Sequence, residues 1–278
     1  MSSKKTNLDQ VIVRLAQTQG EIEAAQRLRY QVFYEEYAAK PDAHMAAARL
    51  DIDDYDEFAD HLVVVDRSGG TEKIIGTYRL LRQELANKYG RFYSSDEYEL
   101  KPLLDSGASL LELGRSCVLP EYRTRPVLQL LWQGIADFIT ENKVDLMFGC
   151  ASLHSTDIKS ISQPLSYLHH YHLAPEHLRV RAVKGRYINM DIIPKDDLNA
   201  KKAFSTLPPL IKGYLRVGAT IGDGAVIDEQ FNTTDVCIIV QTSEVTDRYR
   251  KHYERKLQKS MHGVDDVKNI PSYIKGSA

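Results

Sequence analysis

"LLELGRSCVLPEYRTRPVLQLLWQGI" (residues 110–135) passes from one kind of order into another. Its first part, 110–119, is an apolar run of strand length. Pro126 then opens a helix at a first-turn position, where its missing N–H costs nothing. Leu128, Leu131, Trp132, Ile135, Phe138 and Ile139 recur at three- and four-residue steps. They give a helix running to about Asn142 a broad buried stripe. The junction itself, Arg123-Thr124-Arg125-Pro126, contains no glycine.

Working outward, "VIVRLA" (11–16) reads as a first strand. "GEIEAAQRLRYQVFYEEY" (20–37) reads as a helix, with Ile22, Ala25, Leu28, Val32 and Phe33 on one face. "HLVVVD" (61–66) and "KIIGTYRLLR" (73–82) form a hairpin around "SGG". Residues 85–109 are polar and loop-rich, with room for short helices. "DLMFGCAS" (145–152) is another strand, followed by helices at about 157–171 and 208–218. A late strand, "DVCIIVQ" (235–241), precedes a basic helix near 244–260. This mixed alternation predicts an α/β domain on a single central mixed sheet flanked by helices.

Composition narrows the function classes. The 278 residues are 43% hydrophobic and 27% charged, with a formal net charge of -2. Bulk charge therefore points to no nucleic acid, and any anionic partner must be met by a local patch. Cys117, Cys150 and Cys237 are too few and too scattered for a disulfide framework, and read as buried thiols in a reducing cytoplasm. "MSSKKTNLDQ" has no apolar signal region, and no run approaches the ~20 apolar residues that span a bilayer. Membrane contact, if any, is expected to be peripheral.

The candidate chemistry lies in charged residues on apolar elements. Arg29 falls inside the stripe of the first helix, and an inward guanidinium must find a partner. Asp54, Asp56 and Asp60 precede the hairpin as possible partners, or as carboxylates for a cationic substrate, with a helix cap and solvated surface as the alternative for Asp53 and Asp60. Arg79, Glu112 and Arg115 sit on strands. A regular pleat points Glu112 and Arg115 to opposite faces; a bulge would bring them together. Glu112 suits a general base, with an ion pair to Arg115 or Arg29 as the alternative. "HHYH" (169–172) has no carboxylate or cysteine at ligand spacing in the sequence, so no metal is expected. Ser116 and Cys117 have no recognisable activating histidine, which argues against a covalent intermediate.

"VLPEYR" (118–123) resembles the strand-to-helix lead-in of the GNAT acetyltransferase superfamily, whose helix N-terminus meets the coenzyme A pyrophosphate. The glycines that follow in that superfamily are replaced by Arg125 and Pro126. "LRYQVFYEEY", "DYDEFADHLVV", "GTYRLLR", "LELGRSCVLPEYR" and "LPPLIKGYLRVGATIGDGAVIDEQFNTTDV" together resemble the acyl-homoserine-lactone synthases. They resemble more fully the ornithine-lipid N-acyltransferases, also called lyso-ornithine lipid synthases or hemolysin-like acyltransferases. The likeness covers roughly residues 10–242.

The resemblance implies a GNAT-like N-acyltransferase domain over 10–243, between a flexible N-terminus (1–9) and a basic C-terminal helix and tail (244–278). It implies transfer of a 3-hydroxyacyl chain from acyl carrier protein to the α-amino group of L-ornithine. The donor arm is 4′-phosphopantetheine, and no tightly bound cofactor is needed. Glu112 and Arg115 become the catalytic candidates. Arg29, Phe33, Asp54, Asp56, Arg79, Tyr214 and Asp228 become substrate-binding candidates. Arg123 and Arg125 suit the single phosphate of the arm. "RVRAVKGR", with Arg179, Arg181, Lys184 and Arg186, suits an acidic carrier, or else is a basic strand edge that resists aggregation. The terminal helix suits an anionic lipid surface or plain solvent. Another acceptor amino acid, an acyl-homoserine-lactone synthase, and a non-catalytic carrier- or lipid-binding module stay open.

Overall fold

The computed structural model describes residues 8–243. The expected basic helix near 244–260 lies outside the described residues. The strands are β1 (Val11–Leu15), β2 (Asp60–Asp66), β3 (Lys73–Arg82), β4 (Tyr98–Glu99), β5 (Leu110–Val118), β6 (Leu146–Leu153), β7 (Arg181–Ala182), β8 (Thr220–Asp228) and β9 (Thr233–Gln241). The helices are α1 (Gln19–Tyr30), α2 (Ala43–Ala48), α3 (Gln83–Tyr89), α4 (Lys101–Leu104), α5 (Arg125–Glu141), α6 (Ser162–His172), α7 (Ala200–Thr206) and α8 (Pro209–Arg216).

The strands form one mixed sheet in the order β1-β2-β3-β5-β6-β9-β8-β7-β4. The β5–β6 and β7–β8 pairs are parallel, and the other pairs are antiparallel. β2 is buried along nearly its whole length because helices cover both faces. Its alternation decides which helix meets which residue: Val63 and Val65 cluster with Ala25 of α1, while Leu62 and Val64 cluster with Leu131 and Ile135 of α5. Leu128, expected in the buried stripe of α5, is instead 40% exposed.

Two departures from regular pairing shape the centre. β5 and β6 run for nine and eight residues but align over only three pairs, Leu110↔Leu146 to Glu112↔Phe148. Beyond Glu112 they diverge and leave a cleft. Gly149 marks the fork, where a Cβ would collide with the Leu113 carbonyl oxygen. Between β3 and β5, the register steps from Arg79↔Gly114 to Thr77↔Cys117. Tyr78 thus opposes both Arg115 and Ser116, a bulge in which Arg115 takes a φ of 51°.

Several elements differ from the sequence reading. The first helix changes to a wider π-helical turn at Gln31–Glu36, which sets Val32 and Phe33 on the cleft. Strand β8 was not expected at all. Its "GDG" interrupts the alternation, Gly224 has a φ of 85°, and the register with β9 shifts between Ile221 and Ala225. The helix expected from 157 begins only at Ser162.

Candidate active site

The cleft between β5 and β6 encloses a cavity of about 430 Å³. That volume is in the range of small-molecule sites. Leu131, Trp132, Met147, Ile238 and Val240 give it apolar walls, while Glu112, Arg115, Asp228 and Asp235 line its polar side. Leu128, exposed on α5, also lines it.

Beneath the polar side, three arginines and three aspartates close an alternating ring. Arg29 joins Asp51 (Nε to Oδ2, 2.7 Å) to Asp56, which it grips with two nitrogens at 2.9 and 2.6 Å. Arg79 joins Asp56 (3.0 Å) to Asp53. Arg115 joins Asp53 back to Asp51, both at 3.0 Å. Arg29 and Asp51 are fully buried, and Arg79 and Asp56 nearly so. Burial by itself would raise the Asp51 and Asp56 carboxyls, but the arginines outweigh it and hold both below the usual range. The formal charge of the ring is zero, so it is a built buttress rather than a vacant anion site.

The ring fixes the chain around the cavity. The Arg115 guanidinium is held 4.8 Å from the Tyr93 ring centre and 4.9 Å from that of Phe231. Phe33 meets Phe231 edge-on at 5.7 Å between ring centres. Asp228 accepts the backbone N–H groups of Gln230 (2.8 Å) and Phe231 (2.9 Å), which shapes the turn carrying that ring. Tyr214 is buried with its hydroxyl 3.1 Å from that of Tyr78 and its ring against Trp132.

Glu112 is 3% exposed. Its carboxylate accepts the Tyr93 and Ser94 backbone amides (2.8 and 2.7 Å) and the Ser94 hydroxyl (2.5 Å). The ion pair with Arg115 or Arg29 that the sequence left open is absent among the described residues. Burial raises the Glu112 carboxyl against those three donors. Because of the bulge, Glu112 and Arg115 border the same cavity, as an unbroken pleat would not have allowed.

Other sequence candidates fall elsewhere. Asp54 is exposed, with the Tyr89 hydroxyl 3.5 Å from its carboxylate, and does not line the cavity. Asp60 pairs with Arg82. Asp53, read as a cap, both caps its short helix and completes the ring. Arg123 lines the cavity with its guanidinium on Glu36 and Arg125 is exposed beside it. Arg179, Arg181, Lys184 and Arg186 do not line the cavity; Arg181 pairs with Asp223 and Arg186 with Glu97. The fold brings Asp191 to His170 at 3.3 Å, a carboxylate the local sequence did not offer. Burial pushes the Cys117, Cys150 and Cys237 thiols well up, which leaves them poor nucleophiles. Sequence reasoning missed Asp51, Tyr93, Ser94 and Glu97, whose segments carry no periodic signal.

Residues 28–133 match the acetyltransferase (GNAT) domain model. The chain is 43% identical over 249 residues to an L-ornithine N(alpha)-acyltransferase of Rhodobacter capsulatus, covering 88% of this chain and 95% of that protein. It is 47% identical over 246 residues to the enzyme of that name from Brucella abortus, covering 87% and 88%. The chain belongs to the L-ornithine N(alpha)-acyltransferase family. Members of this family are acyltransferases, and the cavity with its adjoining carboxylates is the candidate active site on this GNAT-like sheet. Among solved structures, FeeM, an N-acyl amino acid synthase from uncultured soil microbes, matches with a TM-score of 0.45 and 11% identity, over 86% of this chain and 94% of its own. No helix among the described residues is long and apolar enough to cross a membrane.

Proposed function

We propose that this chain moves a 3-hydroxyacyl group from the phosphopantetheine thioester of an acyl carrier protein to the α-amino group of L-ornithine. The observation that carries the reading is the cavity at the β5–β6 fork, apolar enough for an acyl chain and bordered by the buried carboxylate of Glu112. The names of the relatives support ornithine as acceptor.

In this reading, Glu112 takes a proton from the α-ammonium, directly or through a water, and frees the nitrogen lone pair. The nitrogen attacks the thioester carbonyl carbon. The C–N bond forms, the C–S bond breaks, and the second proton lost by the nitrogen goes to the departing thiolate, which leaves as the thiol. Backbone N–H groups at the Arg115–Ser116 bulge, which has no regular ladder partner, would stabilise the oxyanion. Arg115 acts chiefly by holding Tyr93 and Phe231 at the acceptor side. The cavity also argues against a module that only binds a carrier or lipid, because such a module needs no buried carboxylate beside its acyl slot.

The donor reading rests on the glycine-free junction. Arg125 stands at the first turn of α5, where helix N–H groups and a cation suit one phosphate. The exposed Arg181 and Lys184 add a basic surface for an acidic carrier.

Purified protein should be given a 3-hydroxyacyl-acyl carrier protein or the matching coenzyme A thioester, with ornithine, glutamine, lysine or S-adenosylmethionine. Mass spectrometry reads the product. N-acyl-ornithine formed mainly from the carrier-bound donor is the expected result. Absence of an amide with every acceptor would overturn the enzymatic reading.

A further inference from the structure

Three carboxylates meet beside the cavity without enough positive charge among them. Glu97, Asp228 and Asp235 each bring one oxygen within 4.8 Å of the others. Asp228 and Asp235 line the cavity, and Glu97 stands against them. Arg186 donates to Glu97 Oε1 at 3.3 Å, and Thr233 donates to Asp235 Oδ1 at 2.9 Å. Among the described residues, one arginine, bonded to Glu97, thus stands against three acids.

A second observation is independent of the clustering. Glu97 is only 5% exposed, and its other oxygen, Oε2, is buried with no hydrogen-bond partner among the described residues. A buried carboxylate oxygen without a donor is costly, and a bound cation would relieve that cost. Burial, followed by the nearby Glu97 charge, pushes Asp235 up to about 7, as expected where like charges crowd without a counter-ion.

We propose that Glu97, Asp228 and Asp235 form the subsite for the side-chain ammonium of the acceptor amino acid. The proposal rests on the ornithine reading above and names the residues that select for it. The placement suits the chemistry. Ser94 links the two carboxylate positions: its hydroxyl is 2.5 Å from Glu112 and 3.4 Å from Cys150 Sγ, and Cys150 lies two residues before Ser152, the strand partner of Asp235. The amino nitrogens of ornithine are five bonds apart, about 6 Å when extended. One acceptor can therefore lie along this wall with its α-amino group toward Glu112 and its side-chain ammonium toward the triad. The aspartates first considered for that ammonium do not serve it, since Asp56 is committed to the ring and Asp54 faces solvent.

The test compares L-ornithine with L-glutamine, whose carboxamide matches the side chain in length but carries no charge. Wild type, Glu97→Gln, Asp235→Asn and the double variant are assayed with a 3-hydroxyacyl-acyl carrier protein, and calorimetry measures binding of each amino acid alone. The ratio of kcat/KM for ornithine over glutamine should fall at least ~30-fold in the double variant, through KM, with ornithine binding weakened alike. An equal fall with both acceptors would mark a structural role and overturn the proposal. So would an unchanged ornithine KM in variants that fold. If wild type binds ornithine through these residues yet acylates nothing, the subsite stands and the catalytic reading falls. If it acylates ornithine regardless of them, the catalytic reading stands and the subsite falls.

Discussion

Replacing Arg29 by methionine tests whether the charge ring holds the site together. Methionine keeps a similar shape and removes the charge and the planar fork. Asp56 would lose two hydrogen bonds, at 2.9 and 2.6 Å, and Asp51 would lose one to its carboxylate at 2.7 Å and one to its backbone carbonyl. Each retains one arginine, Arg79 for Asp56 and Arg115 for Asp51, both at 3.0 Å. Gln26 still donates to Asp56 and Tyr34 to Asp51, each at 3.0 Å. Removing one partner of a buried ion pair costs about 3–5 kcal/mol. The surviving donors favour the lower end, about 3 kcal/mol. For a chain of this size that corresponds to a fall in Tm of roughly 6–12 °C.

The pH dependence sharpens the test. The folded Asp51 and Asp56 lie below their usual values, so they stabilise the fold above the unfolded carboxylate pKa of about 3.9. That stabilisation is lost as pH falls toward the lowered folded values. Without Arg29 the lowering is smaller, so the gap between wild type and variant should narrow from pH 7 toward pH 3. Calorimetric melts across that range provide the measurement. A fall under ~2 °C at pH 7, or a gap that does not change with pH, would refute the idea that the ring is a paired buried unit.

Glu112→Gln should lower kcat/KM by ~10²–10⁴ if the carboxylate is the base, with residual activity rising at alkaline pH as the amine deprotonates unaided; a fall under tenfold would leave Glu112 only as the anchor of Tyr93 and Ser94. Gly149→Ala should force β5 and β6 apart at the fork, costing about 1–3 kcal/mol in melts and most of the acyl-transfer rate. Asp235, raised to about 7, should lose its contribution to stability as pH climbs from about 4 through 7, with Glu97, Asp228 and Arg186 as the charges around it. Asp235→Asn should therefore gain stability relative to wild type on going from pH 4 to pH 8, by roughly 4 kcal/mol at most, read from urea midpoints. Arg125→Glu should raise KM for the carrier-bound donor more at low salt than at high salt, leaving the ornithine KM unchanged.

The sequence determined the frame because periodicity is local. The stripe of α5, the hairpin of β2 and β3, and β5 and β6 all follow from apolar spacing within a dozen or so residues. It also located Arg29 as a buried charge in need of a partner, since a charge inside an apolar stripe can be read without coordinates. Which carboxylates answer it could not be read: Asp51 is 22 residues away and Asp56 27, with nothing local to rank them above Asp54. Tertiary structure also decided the bulge that brings Arg115 to the side of Glu112, because a single unpaired residue reverses the pleat without altering composition. Strand β8 stayed hidden behind its two glycines for the same reason. Glu97 shows the limit most clearly. It sits in a polar segment that reads as surface, and is buried beside Asp228 and Asp235 only because β4, which follows it, joins the β9-β8-β7 side of the sheet, bringing together groups more than 130 residues apart.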